Sequence, residues 1–261
     1  MAQLTVAATA PFGADVLKRL ARRHEVELLL TRPDKPRGRG RTVQPPPAKD
    51  VADRLGIRVE QPAKLDAEVE IPTDTVVVCA YGLLIPEVLL ERGLWLNVHP
   101  SLLPRWRGAA PVERALMAGD THTGVTIHRT IKELDAGPIA AQEGFDIASD
   151  DDAGAVFARC AEIAARLLDD VIAAPRFTPQ PEEGVTYAEK ITPADRELDP
   201  DRPPHELVNR VRALSPHIGA RLGDLIVWEA RVAVDGTFEP LEVQPAGGKR
   251  MAYDAYLRGR R

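Results

Sequence analysis

The segment Thr75–Ala80, TVVVCA, constrains the fold more than any other stretch of this chain. Three adjacent valines favour a strand over a helix. The lack of polar alternation means that both faces of that strand are buried. Such a strand belongs in the middle of a sheet covered by helices. The flanking sequence repeats the pattern. Leu4–Ala8 and Glu25–Leu30 are apolar strands, and Gly13–Arg23 between them places Val16, Leu17 and Leu20 on one helical face. Ala48–Leu55 reads as a helix, Ile57–Glu60 as a strand, Ile85–Glu91 as a short helix and Leu94–Val98 as the next strand. This alternation predicts an α/β, Rossmann-like open sheet, mostly parallel, with helices on both faces. Thr31–Pro47 interrupts it as a long loop rich in proline and arginine.

Beyond Val98 the pattern changes. Gly124–Thr130 and Ile139–Ile147 are strands joined by a tight loop, and a helix capped near Asp151 carries Val156, Cys160, Ile163, Leu167 and Val171 at helical spacing. That helix closes a first domain, residues 1–174. Residues 175–204 are proline-rich, charged and without periodicity, and are read as a surface linker. The strands Leu225–Val234 and Glu239–Val243, after the amphipathic helix Glu206–Leu214, make residues 205–261 a small β-rich module.

Several functions are excluded early. The first strand–helix junction, Ala8–Gly13, holds a single glycine instead of G-x-G-x-x-G, and no Walker P-loop occurs, so a dinucleotide or nucleoside triphosphate fold is not expected. The formal net charge of −5 rules out a uniformly basic nucleic-acid binder but leaves room for a local basic patch. Cys79 and Cys160, both in apolar contexts, form neither a disulfide framework nor a zinc site. His24, His122, His128, His205 and His217 form no H-x-H or H-x-x-x-H pair, so no metal is expected. There is no long apolar run, and no basic segment precedes an apolar one at the N-terminus. A cytoplasmic protein away from membranes is the expectation.

The densest chemistry lies in Leu94–Pro111, LWLNVHPSLLPRWRGAAP. Asn97 and His99 stand two residues apart at the end of a strand, so their side chains leave on the same side. Strand ends are where open α/β sheets bind ligands. Asp135, in the turn Glu133–Pro138, offers a carboxylate, and Gly137 permits close backbone approach. A turn aspartate also commonly bonds its own backbone, and spacing does not separate the two roles. Lys35, Arg37, Arg39 and Arg41 set four positive charges within seven residues, either a solvated loop or an arm for a phosphate backbone.

NVHPSLLPRWRGAAP, followed by GDTHTGVTIHRTIKELDAGPI, resembles the active-site signature of the 10-formyltetrahydrofolate-dependent formyltransferases. Three elements agree in type, order and spacing: the Asn-x-His pair, the SLLP turn and the downstream Asp-x-Gly turn. The methionyl-tRNA formyltransferase branch is indicated by TRPDKPRGRGRTVQPPPAK, AYGLLIP, VTYAEKI, RVRALSP and LEVQPAGGKRM, which run through most of the chain. The resemblance implies a one-carbon transferase without metal, in which Asn97, His99 and Asp135 are catalytic. Ser101, Leu102, Leu103 and Pro104 with Tyr81, Gly82, Leu83 and Leu84 would line the folate site. Lys35, Arg37, Arg39, Arg41, Arg105 and Arg107 would hold initiator methionyl-tRNA, with Trp106 stacking on a base or packing under its loop. Asn97 and a protonated His99 would donate to the oxyanion, with Asp135 raising the His99 pKa. No protein partner is implied, and a monomer is expected. The alternatives are an amino-sugar nucleotide or glycinamide ribonucleotide as acceptor, and, further off, a folate- or RNA-binding protein without catalysis.

The chain departs from the pattern at three places. Ala8-Thr9-Ala10-Pro11 stands where the branch usually has Gly-Thr-Pro. The stretch near Asp66–Ile71 is short. The C-terminal module is abbreviated: the family's last domain resembles an OB-type barrel of about five strands, whereas here Leu225–Val234 passes through Asp235-Gly236 almost directly into Glu239–Val243. A partial OB-like module is therefore expected.

Overall fold

The computed structural model describes residues 1–37 and 42–259, the side chain of Arg37 excepted. In chain order the elements are β1 (Gln3–Ala8), α1 (Pro11–Leu20), β2 (Glu25–Leu30), β3 (Lys35–Arg37), β4 (Thr42–Gln44), α2 (Pro47–Leu55), β5 (Arg58–Glu60), β6 (Thr75–Cys79), α3 (Glu87–Leu90) and β7 (Leu94–His99). They continue with β8 (Arg107–Gly108), α4 (Pro111–Met117), β9 (His122–Arg129), β10 (Ile139–Asp146), α5 (Ala153–Ala173), β11 (Tyr187–Ala188), α6 (Pro204–Leu214), β12 (Ala220–Leu222), β13 (Leu225–Val232), β14 (Phe238–Pro245), β15 (Met251–Ala252) and α7 (Tyr253–Arg258). The chain divides into two compact units. The first comprises Met1–Arg107, Gly124–Gly144 and Ala158–Val185, and the second Gly108–Thr123, Phe145–Phe157 and Thr186–Arg261.

The first unit is built on a seven-stranded sheet of order β10-β9-β7-β6-β1-β2-β5. The valine-rich β6 is its middle strand, and Val76, Val77, Val78 and Cys79 are all buried. Pairing is parallel from β5 across β2, β1 and β6 to β7. It turns antiparallel between β7 and β9. The chain winds outward from β1 through β2 to β5, then returns to β6 on the other side of β1. That reversal opens a crevice at the carboxyl ends of the strands. The lone glycine of the first junction has its explanation here: a Cβ on Gly13 would lie 2.4 Å from the Cys79 carbonyl oxygen, so α1 crosses the end of β6 only because residue 13 has no side chain.

Thr31–Pro47, read from sequence as a loop, contains a hairpin. β3 pairs with β4 in antiparallel register, Lys35 opposite Gln44. The hairpin is tied at its base. Lys49 Nζ donates to both Asp34 carboxylate oxygens, at 3.1 and 3.0 Å, and to Gln61 Oε1 at 2.8 Å. The short β-propensity runs on either side of the glycines gave too little pattern to reveal it.

The second unit has its own core. α6 packs Leu207, Val211 and Leu214 against Ala220, Val227 and Val243 of the four-stranded antiparallel sheet β12-β13-β14-β15. The Asp235-Gly236 turn joins β13 to β14, with Asp235 Oδ1 accepting from the Thr237 amide at 3.0 Å and hydroxyl at 2.7 Å. Four strands leave this module short of a closed barrel, and β12 and β15 are too brief to show periodicity. The helix α4 lies outside the elements expected from sequence, and its Val112, Ala115 and Leu116, all buried, carry helical spacing after a helix-starting proline. Its Arg114 pairs with Asp195 through contacts of 2.7 and 3.0 Å, which hold that carboxyl well below its usual range. Among the described residues, no helix is long and apolar enough to cross a membrane.

Candidate active site

Asn97 and His99 project from the last turn of pleat in β7 toward one carboxylate. Asn97 Nδ2 donates to Asp135 Oδ1 at 3.1 Å, and His99 Nδ1 lies 3.6 Å from Asp135 Oδ2. The strand alternation that put the amide and the imidazole on one side of β7 thus delivers both to the same acid. Asp135 reaches them from a turn between β9 and β10 in which its own φ is +49°, the left-handed region that Asp tolerates better than most residues. The turn closes against β9 because of Gly137: a Cβ there would lie 1.8 Å from the Arg129 carbonyl oxygen. His99 and Asp135 are buried, 4% and 9% exposed.

A fourth member was not singled out from the sequence. His128 faces Asn97 directly in the antiparallel β7–β9 register. Its Nδ1 lies 3.0 Å from the Arg129 carbonyl, which can only accept, so Nδ1 carries the proton and Nε2 accepts from Asn97 Nδ2 at 3.0 Å. His128 Nε2 is also 3.6 Å from Asp135 Oδ1. Both amide hydrogens of Asn97 are therefore aimed inside the cluster, at Asp135 and His128. For Asn97 to donate to a substrate oxygen, one of these bonds must be exchanged.

The state of His99 also differs from the expectation. Nε2 donates to the Trp106 carbonyl at 2.8 Å, leaving Nδ1 turned to Asp135. Burial lowers the His99 pKa below its ordinary value of 6.5, and this outweighs the opposing pull of Asp135 and of the bond to Trp106. The resting imidazole is neutral at pH 7, with a basic nitrogen facing a carboxylate. This arrangement accepts a proton at Nδ1 and stabilises the resulting imidazolium next to Asp135.

The turn after β7 is bonded within its own unit. Ser101 Oγ donates to the Arg105 carbonyl at 2.7 Å. Thr126 Oγ1 donates to the Ser101 carbonyl at 2.7 Å and accepts from the Leu103 amide at 3.0 Å. Gln142 Nε2 donates to the Leu103 carbonyl at 2.8 Å. In Ser101–Pro104, which the resemblance placed in the folate site, the Ser101 carbonyl and both backbone groups of Leu103 are thus bonded to β9 and β10. Leu102 packs beside Gly124. Tyr81 belongs to the aliphatic core, and burial raises its phenol pKa to about 12. Gly82 and Leu84 are exposed. Leu83 and Leu84 line an apolar cleft of about 290 Å³ with Ala63, Lys64, Leu65 and Pro86.

The described acceptor-binding candidates differ in exposure and bonding. Lys35 is exposed on β3. The side chain of Arg37, and Arg39 and Arg41 entirely, lie outside the described residues. Arg105 is exposed, with its guanidinium 4.5 Å above the Trp106 ring. Arg107 turns its guanidinium to Gln180 Oε1, at 3.1 and 2.6 Å. Among the described residues, no group of three His, Cys, Asp or Glu side chains is placed to hold a metal ion.

A doubly wound sheet with a half-buried amide beside a buried acid and imidazole pair at the carboxyl edge of its strands has the equipment of a group-transfer enzyme. The formyl transferase family model matches residues 4–172. The methionyl-tRNA formyltransferase of Dechloromonas aromatica is 39% identical over 293 aligned residues, covering 98% of this chain and 95% of the relative. That of Chromobacterium violaceum is 39% identical, covering 99% and 96%. Among solved structures, an N-formyltransferase from Helicobacter canadensis has a TM-score of 0.69 at 16% identity, covering 97% of this chain and 99% of the other. The methionyl-tRNA formyltransferase from Clostridium thermocellum has a TM-score of 0.65 at 14% identity, covering 97% and 100%. The chain belongs to the formyl transferase family, and it is an enzyme of one-carbon transfer.

Proposed function

We propose that this enzyme moves a formyl group from 10-formyltetrahydrofolate to the α-amino group of initiator methionyl-tRNA. The observation that carries this reading is the set of methionyl-tRNA formyltransferases that share 36–42% of their residues with almost the whole of this chain. The solved sugar formyltransferases, at 14–18% identity, support the fold and not the acceptor. We place the reaction in residues 1–174. The arm around Lys35 and the 205–261 module serve the tRNA, and 175–204 is the connector. The enzyme works as a cytoplasmic monomer.

In this reading the amine nitrogen attacks the formyl carbon, a new C–N bond forms, and the bond to N10 of the folate breaks. The attacking nitrogen must lose a proton and N10 must gain one. His99 Nδ1 takes the first proton, Asp135 stabilises the imidazolium, and the same proton returns to the leaving nitrogen. Asn97 releases one hydrogen from Asp135 or His128 to the developing oxyanion. An oxyanion donor of this kind contributes roughly 10²–10³ in rate. Leu83, Leu84 and the cleft beside them supply apolar surface for the pterin, and Ser101–Pro104 form the rigid wall opposite. Lys35, Arg37, Arg39 and Arg41 take the phosphate backbone, with Arg105 and Arg107 near the acceptor end.

The test is incubation with 10-formyltetrahydrofolate and, separately, methionyl-tRNA, an amino-sugar nucleotide and glycinamide ribonucleotide. Formylation of methionyl-tRNA at a kcat/KM at least 100-fold above the others is expected. Preference for a small acceptor would reassign the substrate, and no folate turnover with any acceptor would remove the reading.

A further inference from the structure

We propose that Gln180 is a positioning residue for the acid of the active site, acting through a run of hydrogen bonds that links the backbone of Asp135 to the segment bonded to His99. Gln180 lies in the stretch read from sequence as a surface connector and belongs to none of the recognised motifs. A bridge between Ile139 and Thr178 brings that stretch alongside the start of β10, with reciprocal amide bonds of 2.8 and 2.9 Å. Gln180 then points at the turn that carries Asp135. Its Nε2 donates to the Asp135 carbonyl at 2.7 Å and to the Gly137 carbonyl at 2.8 Å. Its Oε1 accepts from Arg107 Nε at 3.1 Å and Nη2 at 2.6 Å. Two carbonyls that only accept and a guanidinium that only donates fix the orientation of the amide.

The run continues to the reacting side chains. Arg107 follows Trp106, whose carbonyl accepts from His99 Nε2 at 2.8 Å. His99 Nδ1 in turn faces Asp135 Oδ2 at 3.6 Å. Gln180 therefore links the backbone that holds the carboxylate to the backbone that holds the imidazole. The two anchor residues need such support. Asp135 and Trp106 both sit at positive φ, +49° and +63°, a conformation that costs a non-glycine residue free energy and persists where its surroundings enforce it. Gln180 bonds the carbonyl of the first, and Arg107 is the immediate neighbour of the second. Without the amide, the Asp135 turn is free to relax toward negative φ, which swings the carboxylate away from His99.

This inference rests on Asp135 and His99 as the reacting pair, so its test includes Asp135→Asn. Gln180→Met keeps the length and volume of the side chain and removes all four bonds. Gln180→Glu keeps an acceptor for Arg107 but has no donor for the two carbonyls. Formylation of methionyl-tRNA by 10-formyltetrahydrofolate is measured with each substrate varied, below the thermal midpoint of each variant. Misplacement of a reacting group lowers kcat by roughly 10- to 100-fold. That loss is expected for both Gln180 variants, with KM for each substrate within twofold of the wild type. A kcat within twofold of wild type for Gln180→Met, with Asp135→Asn inactive, overturns the strut and leaves the site reading intact. Full kcat in Gln180→Glu overturns it as well, because the carbonyl bonds would then be dispensable. A rise in KM at unchanged kcat assigns Gln180 to substrate binding instead. If Gln180→Met does not fold, Gln180→Glu decides alone. Activity in Asp135→Asn sinks the underlying site reading rather than the strut.

Discussion

Asp135→Asn isolates the charge of the acid from its shape. The amide is isosteric, and its oxygen can still accept from Asn97 at the 3.1 Å contact. What disappears is a negative charge 3.6 Å from His99 Nδ1. At that separation, with an effective dielectric constant of about 20, a carboxylate stabilises an imidazolium by about 4.6 kcal/mol. If His99 becomes charged during turnover, the loss raises the barrier by most of that amount, or roughly 10³ in kcat. The pH profile carries a second signature. In the wild type His99 must be neutral to take a proton, so kcat falls as pH drops through the His99 pKa, which burial places below 6.5. Removing Asp135 removes the larger of the two influences that raise this pKa, so the acid limb moves to still lower pH. The assay is formylation of methionyl-tRNA at saturating substrates from pH 5 to 9, with circular dichroism to verify folding. A folded variant within tenfold of wild-type kcat would refute the argument, and so would an acid limb displaced upward.

Three further outcomes are expected. His128→Met leaves one hydrogen of the half-buried Asn97 amide without its acceptor. A loss of about 1–3 kcal/mol is expected in stability, in turnover or shared between them; urea unfolding with parallel kinetics measures both, and no change in either would remove His128 from the cluster. Gly137→Ala places a methyl group 1.8 Å from the Arg129 carbonyl oxygen, so the Asp135 turn must shift; kcat should drop at least tenfold and stability by about 1–3 kcal/mol, and a variant with wild-type turnover contradicts the close approach. The Asp195 carboxyl is held well below its usual range chiefly by Arg114, so this pair stabilises fully above the unfolded carboxylate value of about 3.9 and loses its effect as pH falls through the folded value. The Arg114→Met variant should therefore be less stable than wild type at pH 7, and the gap should narrow toward pH 2; a gap independent of pH would show that packing, not charge, is what Arg114 supplies.

Local pattern was enough for the parts of this protein that depend on neighbouring residues. The buried strand TVVVCA lies at the middle of the sheet because a run without polar alternation is stable only when covered on both faces. The i, i+2 spacing of Asn97 and His99 already aimed both at one side of β7, and the Asp-x-Gly turn gave the acid that meets them. What depended on distant pairing was not written in any local pattern. His128 enters the cluster through the register of β7 with β9, and Gln180 arrives from 45 positions beyond Asp135 through a single bridge at Thr178. The sequence pointed to a raised His99 pKa, because the neighbouring carboxylate is visible in it and the burial that opposes it is not. Only the packing around His99, at 4% exposure, makes burial the larger effect. Sequence determined which groups could meet; the tertiary structure decided their partners and their resting protonation, since both are set by contacts and solvent exclusion that arise only when remote strands close over one another.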